Sequence, residues 1–298
     1  MARIGLLDIG GTSIKSGVLE NNVLKAGDTI PTCAKDGAEQ VIQRAEDLLP
    51  KAGNLDAIGI STCGQVDPAT GSIAYANNNM PGYTGMQVKQ KFEDRFHIPC
   101  AVLNDAYAAA AGEHACGAAK GVGDFLCITY GTGIGAGIWL NGAPYYGAGP
   151  NAGIMAGGMV VHAEKKDDND PWNGTYEKAA STTALLKQAK AVDPSIENGR
   201  DFMEKVNDHP QLMEVLNRWT EEIAIGLCSY AAVYNIPLFV LGGGIMEQPS
   251  VFQKTEESFQ KHLIPGFRGI QLKKAELGNK AGLYGAAAAA EVLLDKQQ

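Results

Sequence analysis

The sequence predicts an α/β protein of two related domains with a cleft between them. Three observations lead there. A strand, a glycine turn and a returning strand occur at 3–19 and again at 124–139, about 120 residues apart. Each copy is followed by apolar runs that alternate between strand and helix periods, the pattern of a layered α/β domain. The 298 residues, 45% hydrophobic and 19% charged, have the balance of a folded chain and are enough for two medium domains.

Residues 3–8 (RIGLLD) read as a buried strand ending on Asp8. Gly10 and Gly11 then turn the chain, and 13–19 alternate as a return strand before a turn at Glu20-Asn21-Asn22. Apolar spacing predicts a helix over 37–49, a strand over 55–62, an amphipathic helix over 86–96 and a short strand at 100–103. An alanine-rich helix follows over 105–116. The second half repeats the pattern: strand 124–130, the turn GTGIGAGI, a return strand through Trp139, a helical stretch 211–234, and strand 237–241 entering Gly242-Gly243-Gly244. An alanine-rich helix from Ala281 closes the chain, and 147–175, rich in Gly, Asn and Asp, reads as a loop or lid. The expected division is 1–116 plus 283–298 for the first domain and 117–282 for the second.

The formal net charge is −8 and no Lys/Arg block occurs, which argues against a nucleic-acid partner. Any polyphosphate site must therefore draw its positive field from backbone N–H groups, helix N-termini and a metal ion. Cys33, Cys63, Cys100, Cys116, Cys127 and Cys228 form no CxC or CxxC pair and read as reduced residues of a cytoplasmic protein. The apolar run Ile4–Leu7 is too short for a signal peptide, and no run approaches the ~20 residues of a membrane span.

Four motifs carry chemistry. In Asp8-Ile9-Gly10-Gly11-Thr12, with Lys15 three residues on, glycines allow close backbone approach and positive φ. Thr12 adds a donor, and Asp8 at a strand end can hold Mg²⁺ directly or through water. An ordinary hairpin turn would look the same. Gly131-Thr132-Gly133-Ile134-Gly135 is a second such turn, and two at matching places weigh more than one. Asn104-Asp105 lies at a strand-to-helix junction, where Asp105 is either a helix N-cap or a general base for phosphoryl transfer. Gly242 to Gly244 follow a strand, as flat backbone for an adenine ring or as a plain turn.

Together these residues resemble the ROK family of sugar kinases, within the hexokinase/Hsp70/actin superfamily. Residues 8–12 look like the family's DxGGT motif, and 59–67 (GISTCGQVD) are similar to its GIGxPGxVD stretch, with Cys63 where proline is usual. Asn79 to Tyr83 (NMPGY) looks like NLPGW, and Leu277 to Ala286 like the C-terminal signature. The resemblance implies a two-domain actin-like ATPase (ribonuclease H-like) fold and ATP-dependent phosphorylation of a hexose or hexoside. It implies Asp105 as base and Gly64, Asn79, Asn104, Asp105 and Glu177 at the sugar. ATP and its phosphates fall to Asp8, Gly10, Gly11, Thr12, Lys15, Gly131, Thr132, Gly133, Gly243 and Gly244. Mg²⁺ falls to Asp8, and a homodimer is implied.

The departures bear on substrate. The family carries GE(I/F)GH and then a CxCGxxGCLE zinc segment, whereas this chain has Gly153 to Met159 (GIMAGGM), with Met155 at the glutamate and Gly158 at the histidine. Residues 172–181 (WNGTYEKAAS) match the end of the segment, with Thr175 for the last cysteine and Glu177 for the final glutamate. A tetrahedral site needs four N/S ligands, so no structural zinc is expected; a surface or core role is the expectation for His162. The anomeric end of the sugar site is expected to be less polar and more open, which makes a sugar substituted at C1, such as a β-glucoside, a candidate; glucose or a β-glucoside is the favoured substrate, with N-acetylmannosamine or another hexose as the alternative. The alternatives of another class are a catalytically silent sugar-binding protein and a sugar-responsive regulator. The latter would need a helix-turn-helix ahead of a strand that already begins at Arg3.

Overall fold

The computed structural model describes residues 2–49, 54–148 and 153–296. Among them, two five-stranded sheets repeat one spatial order. In the first, β1 (Arg3–Ile9), β2 (Ser13–Glu20) and β3 (Val23–Pro31) form an antiparallel meander. β4 (Ala57–Thr62) then pairs parallel with β1, and β7 (Cys100–Asn104) parallel with β4, giving the order β3-β2-β1-β4-β7. A small ribbon of β5 (Gln65–Val66) and β6 (Ile73–Tyr75) sits between them in sequence. The second sheet has the order β10-β9-β8-β11-β12, built from β8 (Phe125–Tyr130), β9 (Ile134–Leu140), β10 (Ala143–Pro144), β11 (Leu238–Gly242) and β12 (Gln271–Lys274). Both meanders turn on left-handed residues: Asn21 and Asn22 at φ 53° and 61°, Asn141 and Gly142 at 54° and 76°. Asparagine and glycine tolerate the two positive φ values that a tight hairpin with the right twist requires.

The first sheet is covered on both faces, as parallel strands with crossover helices must be. Ile58 and Ile60 of β4 pack in one apolar cluster with Val41 and Ile42 of α1 (Ala38–Glu46) and Phe92 of α2 (Val88–Phe96). Ile4, Leu6 and Ala57 pack in another with Leu283, Ala286 and Ala290 of α9 (Ala281–Asp295). A side chain at Gly59 would overlap the Ala286 carbonyl, so α9 lies directly on the sheet backbone. α3 (Asp105–Cys116) packs along α9. The second sheet carries α4 (Tyr176–Ala180), α5 (Thr182–Val192), α6 (Gly199–Lys205), α7 (Pro210–Tyr234) and α8 (Pro249–His262) in its crossovers.

Proximity groups the chain into two compact units, 1–123 with 137–154 and 279–298, and 124–136 with 155–278. The division expected from the sequence kept 137–154 with the second half. Here Gly137 lies so close to α3 that a Cβ would come within 2.6 Å of that of Ala110, and the Tyr107 hydroxyl donates to the Tyr145 carbonyl at 2.6 Å. β3 was not expected: it is exposed along most of its length, so it lacks the apolar alternation that marks a half-buried strand. The stretch expected as a lid contains two 3₁₀ turns, Ala156–Gly158 and Ala163–Lys165, and a bridge between Val160 and Thr175. Its residues 149–152 lie outside the described ones. Among the described residues, no helix is long and apolar enough to cross a membrane.

Candidate active site

In the first unit the site begins with the strand register. Asp8 of β1 lies opposite Lys15 of β2 and Ser61 of β4. The Ser61 hydroxyl donates to Asp8 Oδ1 at 2.8 Å and Lys15 Nζ to Oδ2 at 3.1 Å, so each carboxylate oxygen holds one donor. Lys15, expected at a phosphate, is thus the ion-pair partner of Asp8. Ser61 stands where the GIGxPGxVD pattern has its second glycine, and nothing short of the register reveals its role.

The turn that follows is held from behind. The fully buried Thr32 gives its hydroxyl to the Gly10 carbonyl at 2.7 Å and its N–H to the Thr12 carbonyl at 2.9 Å. Among the described residues, the N–H groups of Gly11 and Thr12 and the Thr12 hydroxyl have no partner. Positive φ was expected at these glycines, but neither Gly10 nor Gly11 adopts it. Gly11 instead leaves open space where a side chain would stand, which is what a close-lying anion needs.

At the β7–α3 junction the N-cap is Asn104, not Asp105. Its Oδ1 accepts from the N–H groups of Ala106 and Tyr107, while Nδ2 donates to the Gly64 carbonyl and to Asp105 Oδ1, both at 2.8 Å. Two acceptances and two donations use the whole amide. Gly64 holds its carbonyl toward Asn104 from a left-handed backbone, φ 92°. Asp105 Oδ1 also accepts from the Ala106 N–H, while Oδ2 has no partner among the described residues. One edge of Asp105 is open to solvent, but the protein packed around it, and then the negative charge of Asp8, push its carboxyl up to about 6. Burial, then Asp105, pushes the Cys63 thiol up to about 11. Behind this loop the buried hydroxyls of Thr62 and Tyr83 meet at 2.5 Å, tying the 79–83 segment to the end of β4. Asn79 is exposed, its N–H on Asn77 Oδ1.

The second unit repeats the braced turn. The carbonyls of Tyr130, Gly131 and Thr132 accept from the Thr182 hydroxyl, the Thr182 N–H and the Thr183 hydroxyl at 3.1, 3.0 and 2.8 Å. Glu177 Oε2 accepts from the Ile134 N–H at 2.9 Å, and a side chain at Gly133 would overlap that oxygen. Gly131 and Gly133 do not take positive φ either. Gly243 does, at φ 105°, and a side chain there would overlap the Tyr130 carbonyl. The run expected to be flat therefore enters a 3₁₀ turn, Gly244–Glu247, and Gly243 is needed for its close approach to β8. Gly244 faces open space. Thr32, Thr182 and Thr183 escaped the sequence reading, and Ser61, Thr62 and Tyr83 lay inside matched motifs with no role read for them.

In the segment matching the family's zinc motif, the N–H groups of Val161 and His162 donate to the Gly174 carbonyl and that of Tyr176 to Met159. The imidazole of His162 sits between Glu164 and Glu222 of α7. Among the described residues, no three His, Cys, Asp or Glu side chains are placed to hold a metal ion.

A repeated meander-plus-parallel sheet, a braced glycine turn in each copy and a carboxylate at a strand end define a phosphotransferase of the actin-like ATPase fold. The ROK family model matches residues 4–292, and the chain belongs to that family. An uncharacterized protein of Clostridium perfringens is 34% identical, over 96% of this chain and 97% of its own. A beta-glucoside kinase of Listeria innocua is 28% identical, over 95% and 96%. Among solved structures, a ROK family glucokinase from Streptomyces griseus in complex with glucose and AMPPNP superposes with a TM-score of 0.83 at 26% identity. It covers 97% of this chain and 99% of that one.

Proposed function

We propose that this ATP-dependent sugar kinase phosphorylates a hexose or hexoside at its C6 hydroxyl, with glucose or a β-glucoside as favoured substrate and Asp105 as general base. The observation that carries the reading is the division of labour at the β7–α3 junction. Asn104 takes over the cap, and Asp105 keeps an unpartnered Oδ2 on a carboxyl raised to about 6. A base with that affinity is ionised at neutral pH yet accepts a hydroxyl proton more readily than an ordinary aspartate. The unpartnered N–H groups of Gly11 and Thr12 suit a phosphate of ATP, and the second braced turn is proposed for the other phosphates. Asp8, with a donor already on each oxygen, fits Mg²⁺ held through water rather than by direct ligation. The ion would neutralise charge on the phosphates.

Asn79 and Glu177 are the side chains proposed for sugar hydroxyls. Asn104, its amide fully used, acts by holding Asp105 and the Gly64 carbonyl. Gly243 and Gly244 remain proposed for the adenosine, and a cytoplasmic homodimer completes the reading. The relative named beta-glucoside kinase and the exposed Met155 in place of a glutamate support a sugar substituted at C1.

The test is ADP release with Mg·ATP and a panel of glucose, methyl β-D-glucoside and N-acetylmannosamine. Turnover of glucose or the glucoside is expected. Turnover of N-acetylmannosamine alone would reassign the substrate. Silence with every sugar would leave a sugar-binding protein or regulator.

A further inference from the structure

The second phosphate turn is short and glycine-rich, and nothing in its own sequence fixes its shape. One bond closes it from within, the Gly131 N–H to the Gly133 carbonyl at 3.0 Å, and further bonds come from the α4–α5 junction. Thr182 and Thr183 take three successive carbonyls, of Tyr130, Gly131 and Thr132, and Glu177 takes the Ile134 N–H. Glu177 is itself confined between two glycines, since a side chain at Gly133 would overlap its Oε2 and one at Gly157 would come within 3.1 Å of its Cβ. Only one of its oxygens is spent: Oε1 has no partner among the described residues. The residue expected to touch the sugar is therefore bonded to the turn expected to touch ATP.

We infer that the α4–α5 junction is the brace of the second phosphate turn, and that Glu177 makes this brace a link through which bound sugar tightens the binding of ATP. The inference rests on the kinase reading above. Sugar held on Oε1 fixes the side chain whose Oε2 fixes the turn, so the ordering cost of the nucleotide site is met before ATP arrives. Such coupling needs no new contact between the two ligands. It must also be reciprocal, with nucleotide tightening sugar by the same factor. Thr183 is a positioning residue in this scheme: it touches neither substrate and acts through the Thr132 carbonyl.

Calorimetric titration of AMPPNP with MgCl₂, without sugar and with saturating glucose or methyl β-D-glucoside, measures the coupling directly. The wild-type chain should bind AMPPNP about fivefold or more tightly when sugar is present. Thr183→Val keeps the side-chain shape and loses the donor. It should weaken AMPPNP by roughly 3–10-fold, leave sugar affinity within about twofold and reduce the coupling factor, while Thr183→Ser restores all three. Glu177→Asp is too short to reach both partners and should bring the factor close to one, with thermal unfolding confirming a folded chain. If Glu177→Asp binds no sugar, Thr183→Val decides alone. A wild-type factor of one, or full coupling retained in Thr183→Val, overturns the inference. Should no sugar on the panel turn over, the kinase reading falls and this inference with it; turnover with a factor of one sinks only the inference.

Discussion

Asp105 shows what position within a helix terminus does to a carboxylate. One residue earlier it would be the cap, hydrogen-bonded and ordinary; at the first helical position it is crowded, near Asp8 and half-partnered. Its raised affinity for protons has two consequences. As the proposed base it must be ionised, so kcat/KM should fall about tenfold per pH unit below an acid limb near 6, not near the ~3.9 of an ordinary aspartate. For stability the sign is opposite. Between ~3.9 and about 6 the folded chain binds a proton that the unfolded chain does not, so this group's contribution declines as pH rises and is fully lost above 6. Asp105→Asn, whose amide oxygen can still accept from Ala106, should lose at least ~10² in kcat. Yet it should melt higher than wild type at pH 7.5, with the gap closing below pH 4. A variant that turns over normally, or an acid limb at pH 4, would remove Asp105 from its role. The motif made this residue visible, whereas the hydroxyls that hold Asp8 and the second glycine turn were hidden. Ser61 reaches Asp8 only because β1 and β4 pair in one register, and Thr182 and Thr183 lie in the first turn of α5, a helix outside the elements predicted from the sequence.

At the level of elements, the alanine-rich helices predicted over 105–116 and from Ala281 pack backbone to backbone. A side chain at Gly285 would overlap the Ala108 carbonyl, and one at Gly112 would overlap that of Ala281. Glycine inside a helix costs roughly 1 kcal/mol against alanine, so propensity alone says that Gly285→Ala should stabilise. Packing says the reverse: the added methyl has nowhere to go, and overpacking of a tight core costs typically 1–3 kcal/mol. Gly285→Ala should therefore lower Tm by several degrees. Gly199→Ala, at the open first position of α6 with nothing within 4 Å, should hold or raise it. Equal shifts for both variants would mean that α9 is not seated as described. The same contrast explains which elements were legible. β1, β4, β7 and β8 are buried almost throughout and announce themselves as apolar runs. β3 and β12 are largely exposed, so their sequences carry little periodic signal.

For the whole molecule, the sequence showed the repetition before it showed the parts. Two strand–glycine turn–strand units in one chain imply two sheets of one order, and that is what the chain forms. The purpose of the glycines was the less legible half. Gly10 and Gly11 were expected to allow close approach and left-handed backbone; neither they nor Gly131 and Gly133 take positive φ, and a side chain would meet open space at Gly11 and Gly131 and Glu177 at Gly133. The same question, what a residue is absent for, applies to the missing zinc ligands. Where zinc closes a segment its binding energy is folding energy, and chelation unfolds what it held. Here 159–176 is closed by the Val160–Thr175 bridge and the N–H groups of Val161, His162 and Tyr176. It is then anchored from within by the buried Tyr176 hydroxyl, which meets that of Tyr130 at 2.7 Å and donates to the Ile223 carbonyl at 2.9 Å. Those bonds need no ion. Exhaustive dialysis against a chelator should accordingly leave Tm within about a degree, whereas losing even ~1 kcal/mol would move a domain of this size by roughly 2–4 °C. Elemental analysis of the purified chain should find zinc well below one per molecule. Stoichiometric zinc, or a melting point that drops with chelation and returns with Zn²⁺, would mean that this segment has found other ligands.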